Sequence, residues 1–510
     1  MKYLSSFIIR PRLLLLISAA CFLQQGFSSR QKPSALTIQQ ADTVIHKAKK
    51  IPVANGMFLS FSDLHFDPFS FQGITDTLLH SPVEQWAGIF EAAAKSQGLG
   101  GYGNDVNYNL FISAVQKMKR VNPHPDFIVM SGDFISHDFG LNFQSATGIY
   151  NSDTLFGFIR KTIGFVTSTI EKYFPGISLF PVLGNNDSYC GDYQGETSGI
   201  FFKQIAQMWY PLVKKNVNAR AFRESFYNGG YYEARNPADS AHTILVLNTV
   251  LYSSSYDALK YPNYCSRSKP DSAGILQMAW LKNQLRRNRA QGKKVWILSH
   301  VPPGINAYAS SGGPGSCTDN ISGFWKDSLN QVYLKLLASY KDVVQLTMAG
   351  HTHMDNFQLF LDSNYTAYNF IHLTPSISPI FNNNPAFQEI SYIKGSAAWK
   401  DYTTWFLPDM GDTTHADPWQ KEYSFGDIYG ETMITAQSLK RAFLKIYLDT
   451  ATRKNYMRFY NTGNTYQPAI NGRNFLAYWC SIGYLNAAGY GDCACGIAAK
   501  PKLFTNQNKP

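Results

Sequence analysis

The sequence has little of what marks a membrane protein or a nucleic-acid-binding protein. After residue 23 it has no apolar run long enough to cross a bilayer, and charged residues make up only 16% of the chain. The formal charge of +11 is spread along the chain and forms no dense lysine/arginine block. We interpret it as a basic surface, with attraction toward anionic lipid or a phosphate-bearing substrate as the alternative. No internal repeat or low-complexity tract is visible, and we expect no nucleic-acid polymer as a partner.

The composition favours a folded chain with a large core. Of its 510 residues, 45% are hydrophobic and 15% are aromatic, which excludes disorder and suffices for a large domain and a smaller one. Short apolar runs alternate with stretches of helical periodicity, so we predict an α/β layered fold. Among its elements we predict a helix over 104–120 and strands over 225–233 and 243–249.

The N-terminus has the pattern of an export signal. Lys2, Arg10 and Arg12 precede the apolar run 13–23, which is too short for a membrane span. We therefore expect a signal peptide over residues 1–28, a leader over 29–55, and a secreted or extracytoplasmic protein in a periplasm, at a cell surface or in a lumen. A lipoprotein anchor at Cys21 is the less favoured alternative.

The cysteine count indicates disulfides. Seven cysteines are present, and six remain after removal of the signal peptide, an even number in an exported chain. The expected pairs are Cys265–Cys317 and Cys480 with either Cys493 or Cys495. A zinc site at Cys493 and Cys495 is the alternative, although this spacing is wrong for a zinc knuckle.

Five apolar runs end in polar segments that contain metal-ligand side chains. Open α/β sheets place their functional sites at the carboxyl ends of strands, so we expect these five segments to converge on one site. Seven side chains could bind metal there: Asp63, His65, Asp133, Asn185, His300, His351 and His353.

Seven such ligands suit two metal ions and phosphodiester hydrolysis. A phosphodiester resists hydrolysis because its anionic oxygens repel the nucleophile and its leaving group is poor, and two cations roughly 3.5–4 Å apart address both problems. A carboxylate must lie between the cations, and Asp133 is the candidate. Mixed histidine, aspartate and asparagine ligation suits zinc, our first choice, or iron or manganese.

The ordered motifs resemble those of the calcineurin-like metallophosphoesterase superfamily, and within it the acid sphingomyelinase and acid-sphingomyelinase-like phosphodiesterase branch. The motifs that support the resemblance are Ser62-Asp63-Leu64-His65-Phe66-Asp67-Pro68, Gly132-Asp133 with His137-Asp138, His300-Val301-Pro302-Pro303-Gly304, Gly350-His351-Thr352-His353, and Pro375–Ile380 leading to Asn384-Pro385-Ala386-Phe387. The resemblance implies a layered β-sandwich flanked by helices. It also implies a catalytic domain over 56–385 and a small, mostly helical C-terminal subdomain over 386–510, although an extension packed on the sheet is the alternative for the latter.

The resemblance also implies a ligand set for each metal and a class of substrate. The first metal would be bound by Asp63, His65, Asp133 and His353, and the second by Asp133, Asn185, His300 and His351. A bridging hydroxide would attack phosphorus in line with the leaving oxygen. The implied substrate is a small phosphodiester or lipid headgroup of the sphingomyelin, choline-phosphate or nucleotide type. We expect a monomer, with at most peripheral contact with a membrane.

The chain departs from the family pattern at Asn186, where the family usually has histidine. An amide can donate a hydrogen bond but cannot act as a general acid. The branch has a histidine shortly after its Gly-Asp, and His137 matches it. We therefore predict that His137 protonates the leaving group, with a loop-satisfying role as the alternative, and that Asn186 orients a phosphoryl oxygen. Asp187 would orient Asn186 or a ligand, or be structural.

Two alternatives to the phosphodiesterase stay open: a phosphomonoesterase resembling the acid phosphatases, and a catalytically impaired protein that binds metal or phosphate. Further predictions concern three other residues. Asp105 and Asn107 are expected to cap the following helix, and Asn384 to lie in the core or to line a substrate groove.

Overall fold

The computed structural model describes residues 54–95, 97–256, 265, 272–311, 319–411 and 417–496. The predicted signal peptide, nearly all of the predicted leader, and Cys317 lie outside these residues. Within them, none of the helices combines the length and the apolar character that a bilayer crossing requires.

Among the described residues, twelve strands form two six-stranded sheets. The strands are β1 (Asn55–Phe61), β2 (Phe127–Met130), β3 (Ser178–Pro181), β4 (Tyr232–Asn236), β5 (Asp239–Val246), β6 (Lys294–Leu298), β7 (Val344–Ala349), β8 (Asn356–Leu361), β9 (Ala367–Leu373), β10 (Ala386–Ile393), β11 (Trp399–Phe406) and β12 (Gln420–Ser424). The first sheet has the order β12-β11-β10-β1-β2-β3, and the second has the order β4-β5-β6-β7-β9-β8.

The helices of the described residues fill the connections. They are α1 (Thr75–His80), α2 (Trp86–Ala94), α3 (Tyr108–Val121), α4 (Phe139–Thr147), α5 (Ser152–Tyr173), α6 (Ile200–Val213), α7 (Ala219–Gly229), α8 (Ala273–Ala290), α9 (Ala307–Ser311), α10 (Asp327–Ser339), α11 (Phe425–Tyr429), α12 (Ala436–Leu448), α13 (Thr450–Tyr460), α14 (Phe475–Gly483) and α15 (Ala487–Ala494).

The central strands of each sheet are parallel, so the loops that follow them lie at one edge of the sheet. Strands β1, β2 and β3 are parallel neighbours, and so are β5, β6, β7 and β9. Helices α3 and α6 contact the first sheet, and α8 and α12 contact the second. The predicted α/β layered fold, a sandwich flanked by helices, is confirmed.

One part of the core lies between the two sheets, and a second buried cluster packs β5 and β6 against helices α8 and α10. The Trp296 ring of β6 lies 5.6 Å from the Phe58 ring of β1 and 6.2 Å from the Phe127 ring of β2, centroid to centroid. All three rings are buried. Strand β2 reads Phe-Ile-Val-Met and is buried on both faces, as expected for a parallel strand covered by helices. Burial of such rings stabilises the fold by about 1.5–3 kcal/mol each.

Local sequence decides two helix boundaries. Helix α3 confirms the helix predicted over 104–120, and the Asn107 side chain caps it by accepting from the Leu110 N–H at 2.9 Å. The expectation that Asp105 also caps this helix is wrong, because its carboxylate binds elsewhere. The strand predicted over 225–233 is wrong in its first half, because α7 continues to Gly229 and ends where Gly230 adopts a φ of 77°.

The chain after residue 385 returns to the first sheet. Strand β10 pairs antiparallel with β1, and β11 and β12 continue the sheet outward from it. Helices α12 and α14 then contact β8 of the second sheet. The C-terminal part is therefore an extension of the sheet followed by helices, and the boundary at residue 385 stays a prediction.

Two disulfides join segments of the described chain. Cys190 pairs with Cys265, and Cys480 pairs with Cys493. The second pair confirms one expected partner of Cys480. The expected Cys265–Cys317 pair is wrong, because Cys265 bonds to the loop after β3. The alternative of a zinc site at Cys493 and Cys495 is also wrong, because both are disulfide-bonded.

Candidate metal centre

Loops at the carboxyl ends of five parallel strands carry the predicted ligands. The first sheet supplies Asp63 and His65 after β1, Asp133 after β2 and Asn185 after β3, and the second supplies His300 after β6 and His351 and His353 after β7. Hydrogen bonds between loops tie this edge together. Asp63 N–H donates to the Gly132 carbonyl at 3.0 Å, and Gly350 N–H donates to the His300 carbonyl at 3.0 Å. The structure brings all seven residues together.

Five of these seven residues have a left-handed backbone. Their φ angles are 48° at Asp63, 44° at His65, 57° at Asp133, 69° at His351 and 63° at His353. Aspartate and histidine enter this region more readily than most residues that carry a side chain, but the conformation still costs on the order of 1 kcal/mol. Such outliers gather at functional sites, where the surrounding structure holds them in place.

Two glycines allow the ligand loops to approach one another. A Cβ atom at Gly350 would lie 1.8 Å from Ser62 Oγ, and one at Gly184 would lie 2.1 Å from Asp133 Oδ1. A side chain at either position would displace the neighbouring loop. The glycines that precede Asn185 and His351 in the sequence are therefore required by the packing of the site.

The ligand atoms form two sets. The first ligand set is Asp63, His65 and His353, and the second ligand set is Asp133, His300 and His351; within each set the candidate atoms lie within 4.8 Å of one another. In the first set, Asp63 Oδ1 lies 3.3 Å from His353 Nε2, and the two Nε2 atoms of His65 and His353 lie 3.2 Å apart. All three residues of the first set are buried, whereas His351 of the second set is partly exposed.

Asp133 connects the two sets. Its Oδ2 lies 3.4 Å from His65 Nε2 and 3.2 Å from His300 Nε2. Asn185 Oδ1 lies 3.0 Å from the same His300 nitrogen, so the amide belongs to the second set. The residue expected to be shared thus lies between the two groups of ligands.

The donor set fits divalent cations. Asp63 Oδ1 is buried and has no hydrogen-bond partner, although a buried polar atom without a partner is costly. Imidazole nitrogens and carboxylate oxygens in this ratio suit zinc, iron or manganese. Two imidazole nitrogens at 3.2 Å, facing an unpaired carboxylate oxygen, form a better arrangement for a cation than for hydrogen bonds alone.

The charges of the ligands depend strongly on their surroundings. Burial lowers the pKa of His353 to about 3 and that of His351 to about 4, so both imidazoles are neutral and each has one unprotonated nitrogen. Burial also opposes the charge of His300, but the carboxylate of Asp133 raises its pKa to about 10. A bound cation would take the place of that proton, because metal ligands must be deprotonated.

Asp187 holds the backbone of the centre. Its carboxylate accepts from the N–H groups of Asp133 at 2.9 Å, Phe134 at 2.7 Å and Gly184 at 2.9 Å. Burial raises the pKa of Asp187 to about 7, and the nearby charge of Asp133 acts in the same direction. Of the roles left open by the sequence, this geometry favours the positioning of a ligand.

Asn186 binds the shared carboxylate. Its backbone N–H donates to Asp133 Oδ1 at 2.8 Å, and its side-chain amide donates to Asp133 Oδ2 at 3.0 Å. The amide that stands in the place of the usual histidine is therefore in direct contact with the connecting ligand.

His137 lies beside the first ligand set and is held by Asp105. Its ring stacks on the His65 ring with 4.0 Å between centroids. Asp105 accepts from the His137 N–H at 2.7 Å, and its Oδ1 lies 3.0 Å from His137 Nδ1. Burial opposes the charge of Asp105, but the hydrogen bonds from His137 lower its pKa. The sequence carried no local signal for this pair, because the two residues lie 32 positions apart.

Aromatic side chains border the centre, and of these only Phe381 lies near Asn384, where the sequence suggested a substrate groove. The Phe381 ring is 52% exposed and lies 4.6 Å from the His353 ring. On the other side, the Phe324 ring lies 5.5 Å from the His351 ring, and the Tyr193 hydroxyl lies 3.0 Å from His351 Nε2. Asn384 is buried: it accepts from the Tyr102 hydroxyl and donates to the Thr462 carbonyl, which favours the core role.

Comparison with known proteins assigns the chain to a family. The sequence profile of the calcineurin-like phosphoesterase family matches residues 57–355. The chain is 28% identical to sphingomyelinase phosphodiesterase C of Dictyostelium discoideum over 462 residues, which cover 88% of this chain and 94% of that protein. It is 25% identical to acid sphingomyelinase-like phosphodiesterase 3b of Mus musculus, over 87% of this chain and 91% of that protein.

A third relative is the cyclic GMP-AMP phosphodiesterase SMPDL3A of Rattus norvegicus, which is 24% identical over 86% of this chain and 92% of that protein. All three relatives are named phosphodiesterases. The predicted resemblance and the predicted class, a metal-dependent phosphoric diester hydrolase, are therefore confirmed. The family implies a site for two divalent metal ions, and the two ligand sets meet that requirement. With the family profile matching more than half of its length, the chain belongs to the calcineurin-like phosphoesterase family.

Proposed function

We propose that this chain is a secreted phosphodiesterase with two metal ions, bound by the seven predicted ligands. The observation that carries the proposal is the position of Asp133 Oδ2, between His65 Nε2 at 3.4 Å and His300 Nε2 at 3.2 Å. One carboxylate in contact with both ligand sets is the arrangement that holds two cations at a short distance. When bound, the cations neutralise the phosphoryl oxygens and lower the pKa of water.

The residues of the chain have separate tasks in this proposal. Asp187 fixes the backbone around Asp133 through its three hydrogen bonds, so the connecting carboxylate stays in place during turnover. His137, held through Nδ1 by Asp105, presents its other nitrogen and gives a proton to the leaving oxygen. Asn186, bound to Asp133, keeps the loop after β3 against the centre and orients a phosphoryl oxygen.

The proposed substrate is a small phosphodiester or a lipid headgroup. The named relatives include sphingomyelinase-type and cyclic-dinucleotide phosphodiesterases. The half-exposed Phe381 beside the centre offers an apolar surface to a lipid or to a base. Zinc is the preferred metal, with iron or manganese as alternatives. We propose a monomer, with membrane contact limited to the periphery.

Export is proposed from the signal-peptide pattern of residues 1–28. The disulfides support it, since disulfides persist in oxidising compartments. The division at residue 385 into a catalytic domain and a C-terminal subdomain belongs to the same proposal.

The test measures metal content and turnover on the protein purified without residues 1–28. The substrates are bis(4-nitrophenyl) phosphate, 4-nitrophenyl phosphate and 4-nitrophenyl phosphorylcholine. We expect two metal ions per chain, cleavage of the two diesters, and loss of both properties in Asp133→Ala. Asp138→Ala is the matched control, because Asp138 is exposed and outside both ligand sets.

Three outcomes would contradict the proposal in different ways. Preferred cleavage of 4-nitrophenyl phosphate indicates a phosphomonoesterase. Two metals with no turnover on any diester, natural lipids and nucleotides included, indicate an impaired binding protein. Equal turnover in Asp133→Ala and the wild type excludes the centre as the active site.

A further inference from the structure

A third group of metal-ligand side chains overlaps the first ligand set. It consists of His65, Asp105 and His137, whose candidate ligand atoms lie within 4.8 Å of one another, and we call it the side cluster. His65 is shared with the first ligand set, whereas Asp105 and His137 belong to neither set. The seven predicted ligands therefore do not account for all the histidine and aspartate side chains gathered at the centre.

The spacing of Asp105 and His137 suits two ligands of one cation. Asp105 Oδ1 lies 3.0 Å from His137 Nδ1, and in the first ligand set Asp63 Oδ1 lies 3.3 Å from His353 Nε2. Tetrahedral ligands at about 2.0–2.2 Å from a zinc ion have neighbouring ligand atoms about 3.4 Å apart. A cation can thus take the place of the proton between Asp105 and His137 with only a small shift of either side chain.

Hydrogen bonds hold the carboxylate of the side cluster in place. Asp105 Oδ2 accepts from the His137 backbone N–H at 2.7 Å, and Oδ1 accepts from the Ser378 hydroxyl at 3.4 Å. The His137 ring is packed as well, since it stacks on the His65 ring with 22° between the ring planes. Both side chains are therefore positioned before a cation arrives, which lowers the entropy cost of binding.

The side cluster runs from the surface to the buried first ligand set. The side chain of His137 is 31% exposed, that of Asp105 is 9% exposed, and that of His65 is buried completely. A cation that arrives from solvent on this side meets His137 before it meets the first ligand set. Access therefore favours binding of an additional ion at Asp105 and His137.

A cation at this place would interfere with the proposed proton transfer. His137 gives its proton as an imidazolium, the form with hydrogen on both ring nitrogens. When one ring nitrogen binds a metal, it must be deprotonated, and the ring can no longer form the imidazolium. The contact that orients the ring through Asp105 would be lost at the same time.

We propose that the side cluster is an inhibitory metal site, at which zinc in excess of the two ions of the centre binds between Asp105 and His137. Binding of this ion is independent of the proposed function, whereas the inhibition rests on it. The inhibition is selective, because general acid catalysis matters most for poor leaving groups. Excess zinc thus slows the cleavage of diesters with alkyl leaving groups and largely spares 4-nitrophenyl esters.

The first measurement counts zinc on the protein purified without residues 1–28. The protein is dialysed against buffered, low free zinc and then against excess free zinc, and zinc per chain is determined by mass spectrometry. We expect one ion more per chain in excess zinc for the wild type, and no such rise for His137→Gln or Asp105→Asn. His80→Gln is the matched control and should behave as the wild type, because His80 lies 3.4 Å from Asp76 Oδ1 in a pair that is largely exposed.

The second measurement compares turnover at the same two zinc concentrations. For the wild type, we expect excess zinc to lower kcat about 10²-fold for a diester with an alkyl leaving group and only slightly for bis(4-nitrophenyl) phosphate. His137→Gln already lacks the acid, so its turnover of either substrate should be the same at both concentrations. His80→Gln should be inhibited as strongly as the wild type.

The outcomes separate this inference from the proposed function. An equal zinc count at both concentrations in the wild type overturns the inference. A rise that persists in His137→Gln and Asp105→Asn, or that disappears in His80→Gln, overturns it as well, because the zinc then binds elsewhere on the surface. Loss of the first two ions in His137→Gln and Asp105→Asn would show that the pair supports His65 instead.

Turnover decides the inhibitory role. An additional zinc ion without a selective fall in turnover overturns that role. If the wild type cleaves no diester at either zinc concentration, the proposed function fails, whereas the zinc counts still decide whether Asp105 and His137 bind a cation.

Discussion

Each of the two ligand sets contains one aspartate and two histidines, but the sets differ in access, and the Asn185 amide belongs to the second. The first, Asp63, His65 and His353, is wholly buried, whereas His351 of the second is partly exposed. The difference follows from position, since His65 and His353 lie stacked between the loops, with 5.0 Å between ring centroids. It shows that two candidate metal sites can differ in access to solvent while each retains one aspartate and two histidines.

The largest effect is expected when Asp133, the residue that connects the two ligand sets, is changed. We expect Asp133→Asn to lower turnover on the order of 10³-fold or more and to release both metals, since this carboxylate contacts both sets. Asp63→Asn should release mainly one. Metal content by mass spectrometry and diester turnover check both variants. If Asp63→Asn loses both metals and Asp133→Asn keeps one, then Asp63, and not Asp133, is the residue that connects the two ligand sets.

The next largest effect is expected at His137, the proposed proton donor beside the first ligand set. We expect His137→Gln to lower turnover about 10²-fold with an alkyl leaving group and only slightly with 4-nitrophenolate, because general acid catalysis matters most for poor leaving groups. Asp105→Asn should show the same pattern at about tenfold, since Asp105 holds His137 through two hydrogen bonds. A uniform loss across leaving groups would assign both residues to structure.

Metal removal tests the difference in access directly. During chelation we expect two phases, with roughly half of the metal lost about tenfold faster, because solvent reaches His351 and not the first set. His351→Ala should abolish the fast phase and His353→Ala the slow one. Stopped-flow measurement with a coloured chelator resolves the phases. A single phase in the wild type would mean that the two sites open together.

A smaller change in turnover is expected when Asn186 is replaced by the residue that the family usually has. Asn186→His should raise turnover on diesters with poor leaving groups by about tenfold, since an imidazole can transfer a proton and an amide cannot. The Asn186 bond to Asp133 Oδ2 would be lost in exchange. Lower turnover at unchanged metal content would show that this bond matters more than a second proton donor.

The smallest effect is expected at the exposed ring next to the first set. Phe381→Ala should raise KM about fivefold for thymidine 5′-(4-nitrophenyl phosphate) and hardly at all for 4-nitrophenyl phosphorylcholine, because stacking on an aromatic ring favours a base. The two substrates share a leaving group, so the ratio of their KM values isolates the part recognised by Phe381. A larger rise in KM for 4-nitrophenyl phosphorylcholine would indicate that Phe381 recognises the choline headgroup instead.

The sequence predicted correctly that the polar residues at the ends of the parallel strands lie close together. Asp63, His65, Asp133, His351 and His353 follow short apolar runs, and parallel strands end at one edge, so their convergence could be expected. The division of these residues into one ligand set for each metal came from the resemblance to a known family, and their binding of metal stays a prediction. The resemblance to a known family supplied the remaining detail.

The predictions failed where contacts depend on the path of a loop. Asp105 was expected to cap a helix, yet it binds His137, 32 residues away, and no local pattern records such a contact. Cys265 bonds to Cys190 for the same reason. Tyr193 and Phe381 reach the centre through turns whose direction depends on single left-handed residues, Tyr193 itself and Asn382 next to Phe381. Periodicity carries no information about such turns.

The left-handed backbone at five predicted ligands has a consequence for stability. At each of these positions glycine would relieve backbone strain on the order of 1 kcal/mol, but it would also make the unfolded chain more flexible at a similar free-energy cost. Such a change would also delete a ligand. Fold stability alone therefore gives no reason for a strained aspartate or histidine at these five positions, whereas the proposed metal binding does.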